Sequence, residues 1–398
     1  MNSKQRVTAA IARQNVDYVP LGLYAVDYDI IGKVIGRPSI VRNQLGMQLA
    51  LWEGRRQEMI DQWKTDLTDF YRKIDCADII TCRDAMFMPA PGQLISPLMP
   101  PPHPDHDRVP RKTAENTWED SHGRVFKAIP QANEIKCVYD PTTSAGAPEP
   151  EFTEDMFPPF DPASAQPMDP SCFAVLDHII AEFGRDRYIA GFNGGVVAVT
   201  MLGGFEYGLM LYHLDPAIIH AANRQAVARA HYFDQCMVRP GVSGTIFDQD
   251  MAGTNAPYLS PQTFRDHCLP YLRQRVQDVK TMAPQLIMHN CGCNLPLMDQ
   301  FIEAGVDCYQ SLQTTAGMDI GMLKERYGHR LAFWGGVPLE HLQAGTTQEV
   351  RQSVRCTLEL AGHGGGIILG PSQSIAAGTK YDNFMAMIDE HVRLRDKI

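Results

Sequence analysis

Beyond Pro170 the apolar residues fall into short dense runs, separated by longer segments in which they recur every three or four positions. The dense runs predict strands over 188–192, 244–248, 285–289, 306–310, 330–334 and 366–370. Intervening segments such as 261–282, 296–304, 320–327 and 347–361 predict amphipathic helices. Strands that alternate with helices in this way build a parallel sheet. Upstream, 18–24 reads as a strand whose Pro20 suits an early or edge position, and 77–81 as another, with a helix over 7–15 and one long helix or two over 47–74. Eight strands are the count of a closed (β/α)8 barrel. The competing doubly wound sheet would carry a glycine-rich phosphate fingerprint after its first strand, and none is present here.

Between the second and third strands the pattern lapses. The stretch 89–110 holds eight prolines, 118–128 with Gly123 midway predicts a hairpin, and 140–170 is rich in proline and acidic residues. The expected organisation is therefore one α/β barrel domain over 1–398, a (β/α)8 TIM barrel, with a proline-rich insertion at 89–170 that contains a small β-hairpin.

Charge narrows the partners. Thirty-six basic against 46 acidic side chains leave a net charge of −10, which repels phosphate backbones and anionic lipid headgroups, so nucleic acid and membrane surfaces are not expected partners. The least polar run, Gly194 to Phe205, is far shorter than the roughly 20 residues that cross a bilayer. The opening residues lead into a helical pattern and not into a signal-peptide core, so a cytoplasmic protein is expected. Ten cysteines in 398 residues are too dilute for a disulfide scaffold and act as core thiols or metal ligands.

In a parallel barrel, reactive groups collect at the carboxyl ends of the strands. Those ends offer Asn193, Asp248-Gln249-Asp250, His289-Asn290-Cys291-Gly292-Cys293, Gln310 to Gln313, Trp334 and Gln373. His289 and Cys291 stand two apart, so both leave the strand end in similar directions, and an imidazole with a thiolate suits Zn2+. Cys293 and Asp248 are the expected further ligands, and Cys308, inside a strand, is an alternative. Asp248 and Asp250 form a pair suited to metal binding or acid–base work, or equally to capping the following loop. Asp248 and His289 are the expected catalytic groups. Tyr24, Asp27, Asn193, Gln313, Trp334 and Gln373 are the expected substrate contacts, with Trp334 forming either the floor of an aromatic pocket or part of the core.

Several stretches taken together resemble the uroporphyrinogen decarboxylase superfamily, in particular its corrinoid-dependent methyltransferase branch: Phe247-Asp-Gln-Asp-Met251, His289-Asn-Cys-Gly292, Phe301-Ile-Glu-Ala-Gly-Val-Asp307, Phe333-Trp-Gly-Gly336 and Gly364-Gly-Gly-Ile-Ile-Leu-Gly-Pro371. The opening Lys4-Gln-Arg-Val-Thr-Ala-Ala-Ile11 with Val19-Pro20 is similar to the family's first helix and strand. The resemblance implies the barrel. Decarboxylases of the superfamily carry an arginine-rich N-terminal substrate motif, which Gly22 to Asp27 lacks. The methyltransferases use a zinc site whose histidine and first cysteine map onto His289 and Cys291. Their second cysteine lies near the C-terminal strand end, where this chain has Ser372-Gln373-Ser374. With one fewer sulfur, zinc keeps more positive charge and better polarises oxygen. The implied reaction is demethylation of a small methylated compound, such as a methoxylated aromatic, with transfer of the methyl group to a Co(I) corrinoid (cobalamin) on a partner protein. The direction of transfer and the choice between monomer and homodimer stay open. Two other readings compete: a decarboxylase or lyase of a small carboxylate, and a non-catalytic corrinoid-binding accessory protein.

Overall fold

Barrel strands buried on both faces must be apolar at successive positions, with side chains alternating between the interior and the surrounding helices. In the computed structural model, which describes residues 1–81, 83, 85, 87–91, 109–141 and 151–395, this alternation sets the architecture. Ile246, Ile287, Cys308, Ala332 and Ile368 point inward and pack with Ile79, Tyr188, Ala190, Tyr24 and Trp334. Their neighbours Phe247, Leu286, Met288, Tyr309, Phe333 and Leu369 join the cluster shared with the helices. Full burial of each large apolar side chain contributes up to about 1.5–3 kcal/mol.

The strands are β1 (Leu21–Gly22), β2 (Ala77–Thr81), β3 (Arg111–Ala114), β4 (Thr117–Glu119), β5 (Val125–Ile129), β6 (Glu134–Tyr139), β7 (Tyr188–Gly191), β8 (Gly244–Asp248), β9 (Leu286–His289), β10 (Cys308–Gln310), β11 (Ala332–Val337) and β12 (Ile367–Pro371). Eight of them close into a parallel barrel in the order β1-β12-β11-β10-β9-β8-β7-β2. This is the expected (β/α)8 barrel. The expected strand at 18–24 contracts to two residues, because the chain there is held by side chains: Trp334 Nε1 donates to the Gly22 carbonyl at 3.2 Å. A Cβ at Gly22 would lie 2.4 Å from that nitrogen.

Strands β3 to β6 form a separate four-stranded antiparallel sheet, and the hairpin read from 118–128 is its β4–β5 pair. The sheet rests on the helix Gln44–Trp52 through Trp52, whose ring lies 5.4 Å from Trp118 and 5.9 Å from Phe126. The most proline-rich part of the insertion, 92–108, and the segment 142–150 lie outside the described residues. No helix among the described residues is long and apolar enough to cross a membrane.

Candidate metal centre

The carboxyl ends of β8 to β11 are in register: Asp248 pairs with His289, His289 with Gln310, and Gln310 with Trp334. Residues in register on neighbouring parallel strands share a face, so this row lines one level of the barrel mouth. His289 lies in its middle, only 6% exposed. Its Nδ1 donates to Gln310 Oε1, which fixes the tautomer and leaves the Nε2 lone pair free to act as a ligand. On its other face the ring stacks against Tyr24, with centroids 4.3 Å apart and planes 4° from parallel.

Cys291 follows two residues later, with its Sγ 3.5 Å from His289 Nε2. Ser311 Oγ lies 3.2 Å from the same sulfur, and Ser311 is held at φ 82°, a left-handed conformation that is costly for a residue with a side chain. Asp250 reaches over from the β8 end, and its Oδ1 accepts from the Cys291 amide at 2.8 Å. Gly292, at φ 86°, turns the chain sharply, and a Cβ there would meet the Ala252 carbonyl oxygen at 2.4 Å. Among the described residues, Asp250, His289 and Cys291 form a cluster whose ligand atoms lie within 4.8 Å of one another.

These residues fit a zinc ion. With Zn–N near 2.0 Å and Zn–S near 2.3 Å, two vertices of a coordination tetrahedron are about 3.5 Å apart, which matches the N···S separation. The set is borderline-soft, and Asp250 is exposed, so the cluster opens onto the mouth. Burial pushes the Cys291 thiol up to about 11, with Asp250 adding to the effect and Ser311 opposing it. Burial also pulls His289 down to about 4, against the hydrogen bond to Gln310. Without a cation the thiol is therefore protonated and the imidazole neutral.

The other expected site residues divide clearly. The carboxylate that joins His289 and Cys291 is Asp250 rather than Asp248, because Asp248 is engaged elsewhere: its Oδ2 accepts from Tyr24 Oη at 3.0 Å and pairs with Arg83. Cys293 stands outside the cluster, and its amide donates to the Gly253 carbonyl at 2.9 Å. Cys308 is fully buried in the barrel interior. Gln313 accepts from the Gly292 amide at 2.9 Å and so braces the cysteine turn. Trp334 is wholly buried among the inward-facing residues of the barrel, its ring edge-on to Tyr24 at 5.8 Å.

Asn193 and Asp27 are hydrogen-bonded within the fold. Asn193 donates to the Ile246 carbonyl at 2.9 Å. Asp27 pairs with Arg42 at 2.8 Å and accepts from the Ala377 amide at 2.9 Å. Gln373 is half-buried just beyond β12. Sequence reasoning did not single out Arg83, Ser311 or the role of Gln310. Gln310 carried a signal, as the last inward position of the strand beside His289; the other two depend on contacts between segments remote in sequence.

A sequence model described as uroporphyrinogen decarboxylase (URO-D) matches residues 146–393. Among solved structures, a methyltransferase from Methanosarcina mazei shares the fold, with a TM-score of 0.59 and 16% identity over 99% of this chain and 99% of that one. No curated protein matches.

Proposed function

Given that the chain belongs to the uroporphyrinogen decarboxylase family, we propose that it is a zinc-dependent methyltransferase, taking a methyl group from a small methylated compound and passing it to a corrinoid carried by a partner protein. The observation that carries this reading is the Asp250–His289–Cys291 cluster, set at the open end of the barrel with the spacing of zinc ligands. A zinc ion held there would supply a Lewis acid that stabilises negative charge on the oxygen losing its methyl group. His289 offers a neutral nitrogen whose orientation Gln310 and Tyr24 fix from two sides. Cys291 and Asp250 offer the two negative charges, the thiol losing its proton when it becomes a ligand. Tyr24, fully buried, covers one face of the imidazole and keeps water from it.

The cluster supports this reading over a decarboxylase, which needs no such donor set. Metal analysis of the purified protein should find zinc near one per chain, with loss of the ion in His289→Ala and Cys291→Ala variants that keep a parental circular dichroism spectrum. Reduced corrinoid mixed with methoxylated aromatics in a stopped-flow spectrometer should become methylated only with the metal-loaded parent. A metal-free protein with full methyl transfer rejects the proposal.

A further inference from the structure

Asp248 presents a puzzle that the zinc reading leaves open. It is the direct register partner of His289, on the same face of adjacent strands. Yet the ligand cluster does not include it. Among the described residues Tyr24 and Arg83 hold it: Tyr24 Oη donates to its Oδ2 at 3.0 Å, and Arg83, just past the end of β2, forms an ion pair with the same oxygen. Arg83 also lies over the Tyr24 ring, 5.9 Å from its centroid, and Tyr24 in turn stacks on His289. The side chains of Asp248 and Arg83 are 28% and 35% exposed, so the pair sits at the edge of the mouth.

Resting on the zinc reading, we propose that Arg83, acting with Tyr24, withholds Asp248 from the metal and thereby keeps one coordination position open for substrate. The chemistry of the donor set gives the reason. Three protein donors and one open position characterise catalytic zinc, whereas four protein donors make a closed structural site. With Asp250 and the Cys291 thiolate, a dication is already neutralised; a second carboxylate would leave the centre negative, close the tetrahedron and weaken its pull on an oxygen lone pair. Arg83 supplies the competing cation that makes the outer ion pair the better partner for Asp248. Arg83 is thus a positioning residue that acts through Asp248.

The test uses the full chain, stripped of metal and titrated with Zn2+ or Co2+ alone. Arg83→Met should bind zinc about 10-fold more tightly by chelator competition and change the visible absorption of bound Co2+, while Arg83→Met/Asp248→Asn should return both readouts to within about threefold of the parent. Asp248→Asn alone, with Arg83 intact, should leave zinc affinity near parental, and this arm decides the matter if Arg83→Met does not fold. An unchanged affinity and cobalt spectrum in folded Arg83→Met, or a loss in Asp248→Asn as large as that in Asp250→Asn, overturns the proposal. Failure of the zinc reading registers separately: zinc binding that survives His289→Ala removes the premise and the proposal with it.

Discussion

Parity along one strand decides what His289 can do. Ile287 faces the barrel interior and Met288 the helices, so the next residue faces inward again, at the level where the interior meets solvent. The cysteine two positions on inherits the direction, and the positive φ of Gly292 turns the chain away behind it. A Gly292→Ala variant should lose about 2–4 kcal/mol in urea unfolding and also bind zinc less tightly, since the turn it distorts carries Cys291. Protonation gives a second prediction. At neutral pH the thiol, raised to about 11, holds its proton and the imidazole, lowered to about 4, does not. Metal binding should therefore release one proton, so that zinc affinity rises about tenfold per pH unit between about pH 6 and 9. A log–log slope of zero or two in a chelator-competition series contradicts that assignment. The His-x-Cys pair was legible in the sequence because its spacing is a property of one strand. The place of Asp250, and not Asp248, in the cluster was not, because the contacts of Asp248 with Tyr24 and Arg83 come from segments remote in the chain.

At the level of elements, caps and periodicity were readable where one helix carries its own signals. The helix Thr347–Ala361 begins with the Thr346/Glu349 capping box and buries Val350, Val354, Leu358 and Ala361 along one stripe. Longer patterns divide where the backbone chemistry changes. The span 47–74, read as one long helix or two, is two, Gln44–Trp52 and Arg56–Lys73, parted by Gly54 at φ 71°. The pattern over 261–282 splits into Pro261–His267 and Leu269–Lys280, because Pro270 has no amide to continue the first helix.

Helix pairing adds a charge clasp that no periodicity announces. Glu390 on Tyr381–Leu394, almost fully buried, accepts from Arg355 at 2.6 Å, from Arg351 at 3.3 Å and from Arg393. The hydrogen bond from Arg393 and those from Arg355 and Arg351 hold its carboxyl down to about 2, against burial. A folded-state value below the unfolded one gives stability that is present above the unfolded carboxylate range and lost as pH falls through about 2. Glu390→Gln should therefore cost about 1–3 kcal/mol at pH 7, reduced from the full linkage value because the arginines are partly hydrated, and the gap to the parent should shrink between about pH 5 and 2. Paired urea titrations across that range are the check, and a gap independent of pH would show that the clasp does not act through charge.

For the molecule as a whole, the barrel was legible because strands buried on both faces cannot hide their composition, and six of the eight announce themselves as apolar runs. Closure was less so, since β1 contributes only two residues, and Trp334 wedges between Gly22 and Gly370, whose added Cβ atoms would lie 2.4 and 2.7 Å from its indole nitrogen. Trp334→Ala should remove about 3–5 kcal/mol from global stability, read as a lower urea midpoint with an unchanged m-value. The shared register of Asp248, His289, Gln310 and Trp334 reaches further than any one of these contacts. A slip of β9 by a single residue would bring Met288 to the rim and turn the imidazole toward the outer helices. On the proposed zinc reading, misfolded chains would forfeit the ion together with the pairing, so retained zinc would serve as a tally of correctly threaded molecules in any refolding mixture.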